Sequence, residues 1–386
     1  MPLLTYESTR PWAKAIKDAV LTGKMPPWPA DARFGKFLND PRLTKTEIAA
    51  LVEWADNGAP EGEHVMHSPP ERTYGWTIPP DSVVTLPEFS VPATGVVELT
   101  DITVPTGFTK DTWITSIEIR PGNRELVHHA IVEIIPQSAD DRLGRWNTPV
   151  QKRDADGSAV KRVPRNDRLR DITGVEAVYV PGAAPADYRL HNAAKLVPAG
   201  SVLRVQMHYT PKGRAATDRT SIGFTLARGE PAHRFITVNP TALRDAGHFR
   251  IPPHDPDWET RTEVIFNQDA RLVWLLPHMH LRGKDMTYRL IYPGGESQTL
   301  LRVQWDFNWQ LAYDAATPIS VPKGARLEVT AHFDNSANNK LNPNPNRAVF
   351  WGDQTWEEMM VPWFGIVVPK DADPEKVVSY PRSFAR

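Results

Sequence analysis

The chain has 386 residues, 40% of them hydrophobic and 24% charged, and a formal net charge of −1. That length exceeds one ordinary core and predicts more than one domain, and the near-neutral balance argues against nucleic acid or an anionic membrane surface as the main partner. No apolar run approaches the ~20 residues of a membrane span, and the lack of any cysteine excludes disulfides, thiolate nucleophiles, zinc ribbons and a CxxCH haem attachment.

Met1 is followed by Pro2-Leu3-Leu4-Thr5-Tyr6, with neither a basic nor a long apolar stretch, so no signal peptide is expected in the chain. Residues 1–60 read as helical. Ser8 or Thr9 caps a segment whose Trp12, Ile16 and Val20 share one face, and Gly23 stops it. Thr44 with Glu47 forms a capping box for a second helix, whose stripe of Ile48, Leu51, Val52 and Ala55 ends at Gly58 and Pro60. Between them Gly23-Lys24-Met25-Pro26-Pro27-Trp28 is a proline-locked loop, and a linker with Ser68, Pro69 and Pro70 follows.

From about Trp76 the pattern changes to short alternating runs: 97–104, 113–119, 130–135, 202–208, 221–227, 271–280 and 325–332. Pro, Gly and Asn turns separate them, and no helical period intervenes. The expected fold is mainly β: two antiparallel β-sandwich, jelly-roll-like domains preceded by a small α-helical segment. The expected division is 1–70 helical segment and linker, 75–230 first β domain and 231–386 second, with the boundary near Glu230–His233. The mixed-charge stretch Ser138–Asp171 reads as a long surface insertion.

Four features carry candidate chemistry. His128-His129 enters the run Ala130-Ile131-Val132; neighbours on a strand point to opposite faces, so both imidazoles reach one metal only at a strand end or bulge. Gln206 and His208 share one face of a strand. His278-Met279-His280 places two imidazoles side by side, as a chelating pair requires. Met359 closes Trp356-Glu357-Glu358-Met359. A single histidine on a strand ordinarily makes a hydrogen bond, and a single methionine ordinarily packs; the reading comes from combination and order.

The order HisHis, HisTyr, HisXHis, Glu-Glu-Met, with Gly283-Lys284 after the third motif, resembles the copper type II, ascorbate-dependent monooxygenases, the peptidylglycine alpha-hydroxylating and dopamine beta-monooxygenase family. The resemblance covers about residues 75–386. It implies two copper ions per chain: an electron-transfer copper on His128, His129 and His208, and an O₂-binding copper on His278, His280 and Met359, the three catalytic residues. Gln206 matches a position just outside the ligands. A thioether favours Cu(I), the state that meets O₂, and nothing in a zinc hydrolase calls for it. The implied reaction is hydroxylation of a C–H bond of a small organic substrate by O₂ and an external one-electron donor, ascorbate-like or a cytochrome. The implied location is extracytoplasmic, periplasmic or secreted.

Departures fall around the implied substrate pocket. The peptide-hydroxylating branch has an arginine where this chain has Leu276, and polar Asn and Tyr where it has Val361 and Trp363. Without the arginine a substrate carboxylate loses a bidentate partner, so the substrate is expected to be other than a peptidyl-glycine and its contacts mostly apolar or aromatic. His332 and Met360 stand where a paired cysteine set is expected. The N-terminal segment resembles the C-terminal portion of a class I cytochrome c, in which Met25 would be the haem axial ligand. Lacking CxxCH, the segment is expected to be a helical cap packed on the first sandwich. Two further readings stand beside the enzyme: a copper-binding or electron-transfer protein of the same fold without hydroxylation, and a metal-free β-sandwich interaction module.

Overall fold

In the computed structural model the described residues are 3, 5–63, 75–136, 175–180, 184–240, 249–352 and 354–381. The Ser138–Asp171 stretch, the Ser68–Pro70 linker, His64, His67 and His248 lie outside them.

The N-terminal segment forms α1 (Tyr6–Thr9), α2 (Ala13–Leu21) and α3 (Lys45–Asp56). The capping box of α3 is present: the Thr44 hydroxyl accepts from Glu47 N, and the Glu47 carboxylate accepts from Thr44 N at 2.7 Å. α1 begins earlier than expected, because Thr5 and Ser8 form a second such box. The chain between α2 and α3 is not a cap on the first β half. Ala30 bridges Val303, Phe37 bridges Ala315, and Asp31 N donates to Arg302 O at 2.8 Å. The rings of Trp28 and Phe37 stand edge-on to Tyr313 at 4.9 and 5.3 Å. The proline-fixed extended backbone there offers N–H and C=O groups to strand edges of the second half, and its two aromatics find a pocket only there. Met25, the haem-axial expectation, is 43% exposed.

The first half contributes β1 (Ser82–Thr85), β2 (Phe89–Val91), β3 (Thr100–Pro105), β4 (Thr112–Arg120), β5 (Val127–Ile135), β6 (Val175–Tyr179), β7 (Ala186–Asp187), β8 (Lys195–Val197), β9 (Val202–Tyr209), β10 (Ala216–Asp218) and β11 (Ser221–Leu226). Its larger sheets run β1-β11-β4-β7, with β8 also on β4, and β3-β9-β5-β6. The second half contributes β12 (His233–Val238), β13 (Arg250–Ile251), β14 (Trp258–Phe266), β15 (Ala270–His278), β16 (Gly283–Ile291), β17 (Ser297–Gln304), β18 (Tyr313–Val321), β19 (Arg326–Phe333), β20 (Val349–Phe350), β21 (Val361–Pro369) and β22 (Val378–Ser379). Its larger sheets run β12-β21-β15-β18 and β17-β16-β19-β14-β22. The protein is mainly β after its helical start.

Alternation places the cores. In β9 Leu203, Val205, Met207 and Tyr209 point inward, and in β5 Ala130, Val132 and Ile134 do; they meet Ile114 and Ile117 of β4 and Phe224 of β11. A second core joins Leu272 and Leu275 of β15, Phe364 and Ile366 of β21, Tyr288 of β16 and Val329 of β19. The sheet β12-β21-β15-β18 serves both. Ile236, Leu272 and Ile366 face the second core, whereas Phe235, Val273 and Val367 belong to the first. The halves therefore share one continuous buried apolar contact. Gly365 allows it, since a Cβ there would lie 2.3 Å from the Phe235 ring.

Candidate metal centre

The outer face of β5 and β9 is a ladder of three cross-strand pairs: His129 opposite His208, Ile131 opposite Gln206, and Glu133 opposite Arg204. His128 reaches the same end because the register shifts between Val127 and His129, the bulge that two adjacent imidazoles need to share a target. The ring centroids of His128, His129 and His208 lie 4.9–5.5 Å apart. One nitrogen from each lies within 4.8 Å of those of the others. Nδ1 of His128 is 3.3 Å from Nδ1 of His129, and Nδ1 of His208 is buried without a hydrogen-bond partner. Orphaned buried polar atoms are costly, and three imidazoles with nitrogens this close together are a set that could hold a metal.

A second pair sits where β15 ends. His278 is its last residue, and the chain turns through buried Met279 to His280, leaving the rings 5.3 Å apart and nearly perpendicular. His278 Nδ1 is 2.8 Å from Gln310 Oε1, and the Gln310 amide is oriented by donating Nε2–H to Phe307 O. His280 Nδ1 is 3.2 Å from Glu357 O. Both partners accept, so both Nδ1 atoms carry hydrogen, and Nε2 of each ring bears the lone pair a metal would meet. Met359 lines the same cleft as these two histidines.

Glu358 holds this arrangement. Fully buried, it accepts from His280 N at 2.9 Å and Arg282 N at 2.6 Å, tying the HisXHis turn to the Met359 segment. Burial pushes its carboxyl up to about 8, against the backbone donors and the Arg282 guanidinium, which pull it down. Arg282 itself donates to Asn335 Oδ1 and Trp356 O. The Trp305 indole donates to His280 O at 3.0 Å and packs over Gly283, where a Cβ would lie 2.5 Å from Trp305 Cδ1 and 2.8 Å from Met279 Cβ. Gly283→Ala is expected to cost about 1–3 kcal/mol by overpacking and to loosen the His280 turn, read by urea denaturation and by metal affinity.

Burial keeps the imidazoles neutral. Desolvation lowers His208 to about 4 and His278 to about 3, and places His129 well below the ordinary value, with His208, His128, His278 and His280 adding to the last effect. Neutral imidazole is the ligand form. Because the folded values lie below 6.5, the unfolded chain binds more protons between about pH 3 and 6.5, and the metal-free fold loses stability as pH falls through that window. Thermal melts of metal-free protein should fall steadily from pH 7 to 4, with a shallower slope in His278→Gln; equal slopes would contradict the assignment.

His129 of the first cluster and both histidines of the second pair line one cleft. Its walls include His129, Ile131 and Gln206 from the first half and His278, His280, Met359, Val361 and Trp363 from the second. About 880 Å³ of space lies between these walls, open solvent included. The bridge between the clusters is the Trp305–Gln310 segment: Phe307 lies 6.4 Å from the His128 ring, stacked, while Gln310 holds His278. Of the residues expected around the substrate, Val361 and Trp363 line the cleft and Leu276 packs with them, joined by Ile131 and Val178 of the first half. Gln206 lies on the cleft wall, its amide 3.5 Å from Asp101. His332 and Met360 are outside it: His332 sits between Asp285 and Glu259, and Met360 is in the second core. Sequence reasoning missed Glu358, Gln310, Phe307, Asn239 and the Glu133–Arg204 pair. Only Glu358 had a signal, its place in the Glu-Glu-Met run.

No protein-family model and no curated protein matches this chain. Among solved structures, recombinant peptide:N-glycanase F is similar over 78% of this chain and 100% of its own, at 11% identity and a TM-score of 0.34. PNGF-II is similar over 74% of this chain, at 12% identity and a TM-score of 0.31, and the chain spans 65% of its length. A structure of infectious bursal disease virus Gx strain follows at 8% identity, a TM-score of 0.19, and 79% and 76% coverage. Scores of this size support no argument about this chain.

Proposed function

We propose that the protein is a copper-dependent monooxygenase that hydroxylates a C–H bond of an organic substrate with O₂ and an external one-electron donor, ascorbate-like or a cytochrome. The observation that carries this reading is one cleft on which His129 of a three-histidine cluster opens together with His278, His280 and Met359. The donor types fit the metal: three imidazoles suit copper that changes oxidation state, and the Met359 thioether favours Cu(I). His128, His129 and His208 would hold the electron-transfer copper, and His278, His280 and Met359 the catalytic one. When bound, the two ions supply electron delivery and O₂ activation.

The chain's own residues do the rest. Gln310 and the Glu357 carbonyl fix the tautomers of His278 and His280, and Glu358 locks their turn to the Met359 segment. Val361 and Trp363 give the catalytic side an apolar wall that excludes water. In this reading each half is an antiparallel, jelly-roll-like sandwich, residues 75–230 and 231–386, and the working location is extracytoplasmic.

The test is metal stoichiometry after copper loading and dialysis, followed by oxygen uptake with ascorbate. The expected result is about two coppers per chain and ascorbate-dependent O₂ consumption that a substrate stimulates. Two coppers without coupled consumption would favour a copper-binding or electron-transfer protein; no retained copper, or one zinc, would overturn the reading.

A further inference from the structure

Beyond the metal ligands, the cleft carries polar groups with nothing to bind. Trp363 is 7% exposed and Asn239 8%, and both line the cleft. Trp363 Nε1, a donor, and Asn239 Oδ1, an acceptor, are buried without a hydrogen-bond partner. Register brings them together. Val238, the last residue of β12, pairs with Phe364 of β21, so Asn239 and Trp363 are the next residues along the two chains, and both line the cleft. Leu276 pairs with Trp363 from the other side. His278 lies two residues along the same strand, its ring 5.5 Å from the indole.

Charge in the cleft is already balanced. Glu133 and Arg204 pair at 2.7 Å on the opposite wall, both line the cleft, and both are mostly buried. An anionic substrate would have to compete with Glu133 for Arg204, and a cationic one with Arg204 for Glu133. Near His278 the lining adds Gln310, whose amide is already engaged by His278 and the Phe307 carbonyl, and the apolar Ile131, Val361 and Trp351.

We infer that the substrate is an uncharged molecule with an apolar or aromatic body and one neutral group that both accepts and donates a hydrogen bond, such as a carboxamide, held between Trp363 Nε1–H and Asn239 Oδ1 beside His278. This rests on the monooxygenase reading for its chemistry, but the recognition it describes is a property of the cleft. The indole N–H meets the carbonyl oxygen, the amide N–H meets Asn239, and both orphaned groups are satisfied together. A site built around such groups rejects an analogue that leaves them unpaired.

The test is isothermal titration of the full chain, metal-free and copper-loaded in parallel, with phenylacetamide, phenylacetate and 2-phenylethylamine. Phenylacetamide should bind more tightly than either charged probe by about tenfold or more. Trp363→Phe and Asn239→Leu should each lower its affinity about tenfold while leaving phenylethylamine unchanged. Glu133→Gln should release Arg204 and raise phenylacetate affinity about tenfold. Equal or tighter binding of a charged probe, indifference to both Trp363→Phe and Asn239→Leu in variants with unchanged melting, or no binding by any probe would overturn the inference. Its fate is separable from that of the copper reading. The preference in metal-free protein stands or falls without copper, and two retained coppers with no amide preference would sink only the inference.

Discussion

Glu358→Ala should unfold at markedly lower denaturant and lose one of two coppers selectively. Its carboxylate is fully buried, beside an Arg282 that is itself 2% exposed. Removing it leaves the N–H groups of His280 and Arg282 without their acceptor and the guanidinium with only Asn335 and the Trp356 carbonyl. Each buried donor left without its acceptor costs about 1–3 kcal/mol. The His280 turn and the Met359 segment are the two pieces that Glu358 joins, so the weakened metal should be the one on His278, His280 and Met359. The three-histidine site lies on β5 and β9, which Glu358 does not touch, and should keep its copper. Urea melts and metal analysis after dialysis check both parts. Loss of both coppers, or of neither, would contradict the assigned role. Glu358→Gln should fall between wild type and Ala, since its amide oxygen accepts from one backbone donor while its NH₂ opposes the other.

His208→Ala should reduce retained copper from about two to one and abolish coupled turnover. His208 Nδ1 is the cluster's orphaned atom, and its cross-strand partner His129 is a second proposed ligand. Deleting one of three ligands from a site typically costs far more than the 10–100-fold that an outer-shell change does. Stability should move the other way in acid. With the depressed His208 gone, the metal-free variant has one proton fewer to release on folding below pH 6.5, so its melting temperature should fall less than that of wild type between pH 7 and 4. Residual turnover near wild type would show that electrons reach the second cluster without the first, against the two-site reading.

How legible these features were in the sequence depended on how many faces of a strand were buried. β9 alternates cleanly because Leu203, Val205 and Met207 face the core while Arg204, Gln206 and His208 face the cleft, and its expected bounds come within a residue of the observed ones. The other six expected strands are also present, with ends shifted by up to a few residues. β21 was unreadable: Val361–Val368 is buried throughout, because its sheet lies between two cores, and a strand covered on both faces shows no period of two. The prolines Pro362 and Pro369 obscured it further, yet Pro362 sits opposite Pro277 within the sheet. The bulge at His128 was a requirement that could be stated from the His-His pair itself. By contrast, Gln310 and Phe307 come from a loop joining β17 to β18, whose approach to both clusters depends on sheet order and leaves no trace in local spacing. Asn239 and Glu133–Arg204 are likewise visible only once β12 and β5 are paired with their neighbours.

The doubly covered sheet has a further consequence when the chain is followed in the order a ribosome makes it. Val367, one of the side chains closing the first core, is synthesised about 140 residues after β11, the last strand of the first half, and only a few residues after Met359. A nascent chain can therefore display the three histidines at 128, 129 and 208 well before β21 exists to seal the apolar surface behind them. During that interval the apolar surface that Phe235, Val273 and Val367 cover stays open, a species prone to aggregate or to need a chaperone. The arrival of residues 359–369 then closes the first core and brings in the proposed thioether ligand in one step. The proposed second binding site and the closure of the first core depend on the same eleven-residue stretch, so a defect there should appear first as lost yield and only afterwards as lost activity.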